Sequence, residues 1–330
     1  MSKTVAIIIV SWNSWDLMER CLNCLEAQTF QDFSVTVMDN DSLQDRSAEH
    51  ALRHPRVTFI QSGSNLGFSA ANNLAVEKYT GDSPWIALLN ADAFAQPDWL
   101  AQLMAASQAH PDCSVFASRQ LDASNPLLLD GDGDCYHMSG RAWRTVVWDN
   151  PPAGSAADDA SAALPQVIEA PKNVFSPCGA AALYRRSAYM SLGGLDEDFF
   201  CYFEDVDLGF RLHLAGYRCL LVPTAVVHHL GSGSTGGAHN DFAVYHGHRN
   251  MVWSYVKNMP SVFFWLFLPM HISFNLATIL VYWRNPSVIL RSKKDAVLGI
   301  PKMLKKRRAI QSQRRATLAD IWRILDKRLF

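Results

Sequence analysis

The sequence predicts an α/β protein, a mostly parallel sheet flanked by helices, and three observations predict it. Short apolar runs bounded by turn residues recur at Val5–Val10, Val35–Met38, Val57–Ile60 and Trp85–Leu89, the pattern of strands covered on both faces. Stretches with helical spacing separate them, as in Leu17, Met18, Cys21, Leu22 and Leu25. Strands that alternate with helices connect through right-handed crossovers, which sets neighbouring strands parallel. At 330 residues, 49% of them hydrophobic, the chain can bury a sizeable core as one large domain or two smaller ones.

Taken in order, the first strand ends in Ser11-Trp12-Asn13-Ser14, where Asn13 or Ser14 can cap the following helix. Val35–Met38 closes in Asp39-Asn40-Asp41-Ser42. Ser47–His54 reads as a helix, and after Val57–Ile60 the stretch from Ser62 to Gly67 is a turn. Phe68–Tyr79 is helical, Trp85–Leu89 is a buried strand, Pro97–His110 is helical with Pro97 suited to a first turn, and Ser114–Ala117 is a short strand. Residues 121–165 read as irregular, with a small, polar and therefore mobile loop at about 150–166. A strand over Ser176–Tyr184 and a short helix from Arg185 to Gly193-Gly194 come next. A helix over Glu204–Ala215, a strand over Val222–Leu230 and a helix over Asp241–Lys257 follow.

Three of the early strands end in polar side chains: Ser11/Asn13, Asp39/Asn40 and Asn90-Ala91-Asp92. Ligands of open parallel sheets bind beyond the carboxyl ends of the strands. An aspartate there can accept from the imide N–H of a pyrimidine base, and Asp92 can hold a divalent cation through oxygen. Any single ending is equally what a turn needs; the set points to a nucleotide site. Between Asp196 and Asp207 six acids interleave with four aromatics. Acids at a helix start complement its dipole, yet this number exceeds that need, and a carboxylate among rings can be tuned toward a general base. Of His228 and His229 only one can face a site on a strand, and a structural role fits either. The glycine run 231–237 has no acid about 20 residues on, so it is no dinucleotide fingerprint but a flexible loop able to close over a diphosphate.

The net charge of −1 hides an asymmetry. Residues 284–330 carry 14 Lys/Arg and 3 Asp/Glu, a balance of +11, which leaves −12 for residues 1–283. Ser261–Trp283 holds no charged residue; its length suits a membrane span, but Pro269, His271 and Asn275 interrupt it. An apolar stretch followed by basic helices fits an interfacial, monotopic anchor on anionic lipid. Nucleic-acid binding would explain the charge but not the apolar stretch. Seven cysteines, an odd and scattered number, are expected as free thiols in a reducing cytosol. The short first apolar run, followed by Trp12 and Asn13, is not expected to be a secretory leader.

As a set, Ile8-Ile9-Val10-Ser11-Trp12-Asn13, Asp39-Asn40-Asp41-Ser42, Asn65-Leu66-Gly67-Phe68-Ser69-Ala70-Ala71-Asn72 and Leu88-Leu89-Asn90-Ala91-Asp92-Ala93 carry a resemblance. Cys178-Gly179-Ala180, Gly193-Gly194-Leu195-Asp196-Glu197-Asp198-Phe199-Phe200, Phe203-Glu204-Asp205-Val206-Asp207-Leu208, His229 with Ser234-Thr235, and Arg249-Asn250 extend it. Together, over about residues 4–257, they resemble a family 2 glycosyltransferase of GT-A fold, in its bacterial rhamnosyltransferase-like branch. The resemblance implies a transferase domain over 1–258, and the apolar run with the basic tail makes 259–330 a membrane-associating helical segment. It implies an inverting sugar transfer from a nucleoside-diphosphate donor, dTDP-rhamnose favoured, to a lipid-linked saccharide. The work would take place at the cytoplasmic face of the plasma membrane, without nucleic acid as a partner.

Residue by residue, Ser11, Asn13, Asp39, Asn65, Gly67, Asn72, Asn90 and Ala91 are implied to bind the donor. Asp92 and His229 would hold Mg2+ or Mn2+. Asp205, paired with Glu204, would be the catalytic base, and Arg249 and Asn250 would meet the acceptor or the diphosphate. Asn90 stands where many relatives carry Asp, so Asp92 would anchor the cation. Transfer of another sugar by the same fold, or donor binding without turnover, are the alternatives.

Overall fold

The computed structural model describes residues 3–145, 170–231, 240–283 and 286–328. The expected mobile loop and all but the first residue of the glycine run lie outside the described residues. The elements are β1 (Val5–Ser11), α1 (Trp15–Glu26), β2 (Phe33–Asp39), α2 (Ser47–Arg53), β3 (Val57–Gln61), α3 (Gly67–Tyr79), β4 (Trp85–Leu89), β5 (Ala93–Ala95), α4 (Trp99–Ala109) and β6 (Cys113–Asp122). Three short strands follow, β7 (Leu129–Gly131), β8 (Asp134–Tyr136) and β9 (Ala142–Arg144), and then β10 (Lys172–Asn173), β11 (Ala181–Arg185) and α5 (Arg186–Ser191). After a 3-10 turn at Glu197–Phe199 come α6 (Glu204–Leu214), β12 (Arg218–His229), α7 (Asp241–Asn258), α8 (Ser261–Val281), α9 (Pro286–Ser312) and α10 (Leu318–Ile324).

The main sheet runs β10-β12-β6-β11-β4-β1-β2-β3. From β3 to β4 it is parallel, as the strand–helix alternation requires. Beyond β4 it becomes mixed, because β11 inserts antiparallel between β4 and β6, whereas β12 pairs with β6 in parallel. Pro223 has no N–H to donate, and the β6–β12 register shifts across it between Val222 and Val226. The expected strand over Ser176–Tyr184 begins only at Ala181. Pro177 cannot join a ladder, and the Gly179 N–H bonds instead to a side chain of α6. Ser14 stands at the α1 N-cap without capping it; its hydroxyl donates to the Trp12 carbonyl.

Each face of the sheet is covered. Trp15, Met18, Cys21 and Leu22 of α1 and Trp99, Leu100 and Leu103 of α4 pack on one face with Ile7, Ile9 and Phe116. Ala71 and Ala75 of α3, Tyr189 of α5 and Leu208 and Leu212 of α6 pack on the other with Ile8, Ile86 and Leu88. All seven cysteines are free thiols, and Cys21 sits in the core.

The C-terminal helices pack onto the same body. Tyr136, Phe175, Phe210 and Tyr255 form a third core with Phe267 of α8 and Ile321 of α10. The Trp253 indole N–H donates to the Ala296 carbonyl of α9, and Arg307 donates to the carbonyls of Val256 (2.9 Å) and Met259 (2.5 Å). The basic charge of this segment meets the body's own acids in part: Lys306 bonds Asp196 and lies 2.7 Å from Asp198, and Lys302 lies 2.5 Å from Asp198. The three residues that interrupt the apolar stretch are accounted for locally. Pro269 lies within α8, His271 bonds the Ser139 carbonyl at 2.7 Å and stacks on Tyr255, and Asn275 bonds His271 and Lys293. Trp265, Leu266, Leu276, Leu280 and Val281 of α8 are exposed.

Candidate functional site

A cleft of about 460 Å³ opens at the carboxyl ends of β1, β2 and β4. Of the sequence-predicted residues, Asn65, Gly67, Asn90 and Ala91 line it on one side, and Asp92, Glu204, Asp205 and His229 line the rest. The loops at the β1 and β2 ends are cross-tied. Asn40 donates to Asn65 Oδ1 (3.1 Å), and its own oxygen accepts from the Leu66 N–H (2.9 Å). Asn13, at φ 53°, donates its backbone N–H to Ser42 Oγ, and its side-chain oxygen accepts from the Leu43 N–H, both at 2.8 Å. Asp39 is buried and accepts from the Ser42 backbone and hydroxyl; burial raises its pKa against those bonds.

Ser11, Asn13, Asp39 and Asn72 are not on the cleft surface. Ser11 is buried at the end of β1, and Asn72 donates to the Phe68 carbonyl of its own helix. Its neighbour Asn73 is the one that reaches across, bonding Leu195 through both its oxygen and its nitrogen and accepting from the Tyr189 hydroxyl. Gly67, at φ +78°, lies against Phe200, where a Cβ would come within 2.5 Å of the ring; only glycine fits there.

On the other wall, Asp205 in the first turn of α6 accepts from the backbone N–H groups of Gly179 and Val206, both at 2.8 Å. A Cβ on Gly179 would lie 3.1 Å from that carboxylate, so the bare backbone is what lets the N–H approach. Glu204 is buried with its Oε2 unpartnered among the described residues. Asp134 is buried too and accepts from the Ser176 hydroxyl at 3.0 Å. Burial raises the pKa of all three, and the charge of Asp205 adds to the rise at Glu204 and Asp134. Two N–H donors favour the ionised form of Asp205, so it is the member best placed to carry the charge while its neighbours hold protons.

His229 is buried at the end of β12, its Nε2 3.4 Å from Asp92 Oδ1 and its Nδ1 2.8 Å from Asp130 Oδ2. Arg144 lies 2.5 Å from the same Asp130 oxygen. Burial alone would lower the imidazole pKa, but the two flanking carboxylates outweigh it and raise it to about 9. His228 points the other way, toward Gln96. The donor set fits a divalent cation. Nδ1–H donation to Asp130 leaves Nε2 as the ligand nitrogen once a cation displaces its proton; Nε2 has no hydrogen-bond partner among the described residues and sits beside a carboxylate.

Arg249 and Asn250 do not line the cleft; they hold its wall. The Asn250 amide donates to the carbonyls of Phe199, Cys201 and Tyr202 at 2.7–3.0 Å. Arg249 Nη2 donates to those of Asp198 and Phe199. The loop they bind carries Phe200, Tyr202 and Phe203 at φ 64°, 66° and 72°, backbone that bulky residues resist.

Sequence reasoning missed Asp130, Asp134, Arg144 and Asn73. The first two belong to an alternating Asp130-Gly131-Asp132-Gly133-Asp134 run, a signal present in plain view but absorbed into a stretch read as irregular. Asp132 of that run forms a buried bidentate pair with Arg119 at 3.0 and 2.8 Å.

Residues 6–130 match the Glycosyl transferase family 2 domain, and residues 157–288 match the Glycosyl transferase family group 2 domain. An N-acetylglucosaminyl-diphospho-decaprenol L-rhamnosyltransferase of Mycobacterium tuberculosis is 29% identical, over 72% of this chain and 79% of its own. The rhamnosyltransferase WbbL of Escherichia coli is 28% identical, over 66% of this chain and 80% of its own. The fold matches the mannosyltransferase of Pyrobaculum calidifontis solved with GDP-Man and Mn2+ (TM-score 0.54, 16% identity, 98% of this chain and 88% of that one). It also matches Staphylococcus aureus TarS solved with UDP (TM-score 0.53, 14% identity, 94% and 90%). The chain therefore belongs to glycosyltransferase family 2, with a GT-A fold, and is a rhamnosyltransferase-like glycosyltransferase.

Proposed function

We propose that this glycosyltransferase moves rhamnose from dTDP-rhamnose to a lipid-linked saccharide, with inversion, in cell-surface polysaccharide synthesis. The observation that carries the chemistry is a single cleft lined by both the Asp92–His229 pair and the Glu204-Asp205 helix start. Donor and acceptor class rest on the two rhamnosyltransferase relatives, one of which is named for a decaprenol-diphosphate substrate.

In this reading the base and ribose lie over the β1 and β2 ends, where Asn13, Asn40 and Ser42 tie the loops and buried Asp39 holds Ser42. Asp92 and His229 would hold Mg2+ or Mn2+, which would supply positive charge to the departing diphosphate, and Asn90 lines the same cleft. Asp205 takes the proton from the acceptor hydroxyl as that oxygen attacks the anomeric carbon. Its burial raises its proton affinity toward a working base, and such assistance is typically worth roughly 10²–10⁴ in rate. Glu204 and Asp134, protonated, can hydrogen-bond the acceptor without competing for charge.

The exposed apolar face of α8 would lie in the headgroup region at the cytoplasmic face, bringing the cleft to a lipid-borne acceptor. α8 is also long and apolar enough to cross a membrane, but His271 and Asn275 turn toward the protein, which favours the interfacial placement. A thermal-shift panel of nucleotide sugars with and without Mn2+ tests the donor. Selective stabilisation by dTDP-rhamnose is expected, and selective stabilisation by another sugar nucleotide overturns that assignment.

A further inference from the structure

On the helical layer beside β3, away from the residues that line the cleft, a second cluster gathers Glu19 of α1 with His50 and His54 at the end of α2. One donor atom from each lies within 4.8 Å of the others. His50 Nδ1 is 3.5 Å and His54 Nε2 3.9 Å from the same Glu19 oxygen. Both imidazoles are almost wholly buried, at 1% and 2% exposure. Neither nitrogen of His50 has a hydrogen-bond partner among the described residues, nor does Nε2 of His54. A buried imidazole ordinarily satisfies its ring nitrogens.

The second nitrogen of His54 shows what the cluster suits. Nδ1 lies 2.7 Å from Glu26 Oε1, so Nδ1 carries the proton and Nε2 presents its lone pair toward Glu19. A carboxylate behind a histidine whose far nitrogen faces a second carboxylate is the outer-shell arrangement of metal-binding histidines. His50 is oriented by its stack on Trp15, at 5.2 Å and 18°. In a tetrahedral zinc site with bonds near 2.0–2.1 Å the ligand atoms lie about 3.3 Å apart, so a contraction of up to about 1.5 Å completes the shell. Arg53 also touches Glu19, at 3.0 Å, but it is half exposed and keeps Glu49 as a second partner. Glu19 itself reaches solvent and gives the ion a path in.

We propose that Glu19, His50 and His54 form a zinc site that fastens α2 to α1, independent of the cation of the sugar-transfer cleft. Two imidazoles and one carboxylate, with a fourth position for water, suit Zn2+ over Mg2+ or Mn2+, which prefer oxygen. The site does not depend on the function proposed above. It lies between the two helices whose N-terminal loops, 11–14 and 40–46, border the cleft, so its occupancy would stiffen that border.

The test is calorimetric titration of chelator-treated full-length protein with Zn2+, metal content by mass spectrometry, and the visible spectrum of the Co2+ form. Background binding at the cleft is removed with Asp92→Asn. One equivalent of Zn2+ that survives Asp92→Asn, gives a tetrahedral Co2+ spectrum, and weakens at least 100-fold in Glu19→Gln is the expected result. Glu26→Gln, which touches no metal, should weaken it about 10–100-fold. Glu19→Gln and Glu26→Gln alter solvent-exposed carboxylates, so both should fold, as circular dichroism would verify. Loss of zinc with Asp92→Asn, or retention of full affinity in Glu19→Gln, overturns the assignment.

Discussion

Lys257→Met is the substitution whose consequence can be worked most fully. Lys257 is buried, its ammonium 2.7 Å from Asp207 and bonded to Asp196, and these carboxylates are themselves 0% and 7% exposed. Methionine fills the volume but removes the cation between two buried anions. Removing one partner of a buried pair typically costs about 3–5 kcal/mol. Asp207 keeps Arg211 at 2.8 Å and Asn258 at 2.7 Å, and Asp196 keeps Lys306, so about 3 kcal/mol is expected. The control is Lys306→Met, whose side chain is 34% exposed; solvent screening holds its cost to about 1 kcal/mol or less.

Guanidinium denaturation reads both, with a lower midpoint and an unchanged slope. The sign with pH follows from Asp196. Burial alone would raise its pKa, but Lys257 and Lys306 hold it well below the usual 3.8. A depressed folded pKa stabilises above the unfolded value and is lost as pH falls through the folded one. The gap between wild type and Lys257→Met should therefore be full at neutral pH and narrow below about pH 4. A cost under about 1 kcal/mol, or a gap that does not change with pH, would refute the reasoning.

Asp205→Asn should lower the transfer rate by roughly 10²–10⁴ while leaving donor affinity within a few-fold, read by product formation and by calorimetry with the nucleotide sugar. Because burial raises the Asp205 carboxyl above 3.8, activity should fall with decreasing pH on a limb displaced upward from an ordinary aspartate; a limb at or below pH 3.8 contradicts this. Asn250→Ala removes the donor to three loop carbonyls and should lower kcat more than it raises donor KM, with a fall in thermal midpoint. Trp265→Asp with Leu276→Asp, both exposed, should abolish co-sedimentation with anionic vesicles while the fold is kept. Unchanged sedimentation would discard the interfacial helix.

Part of the cleft at the β4 end was legible because a strand's apolar run and its polar tip are local facts. Asn90-Ala91-Asp92 follows β4 by sequence alone, and Glu204-Asp205 heads α6 by helical spacing. What was not legible depended on distance in the chain. Arg249 and Asn250 look like ligands until the carbonyls of 198–202 are seen beneath them. Asp134 reads as part of a loop until Ser176 and Asp205 arrive. The +11 of the tail suggests an anionic partner outside, yet Lys302 and Lys306 meet Asp196 and Asp198 about a hundred positions earlier. His229 could be placed on a strand but not assigned a face until Asp130 fixed which nitrogen it presents.

The position of β11 also bears on how the chain is made. β4 and β6 frame a gap that only residues 181–185 fill, so a nascent chain carrying the whole early match, 6–130, still has two open strand edges. Pairings so far apart in sequence form slowly. The amino-terminal half is therefore not expected to fold by itself, and a fragment cut before residue 181 should aggregate where the intact chain remains in solution.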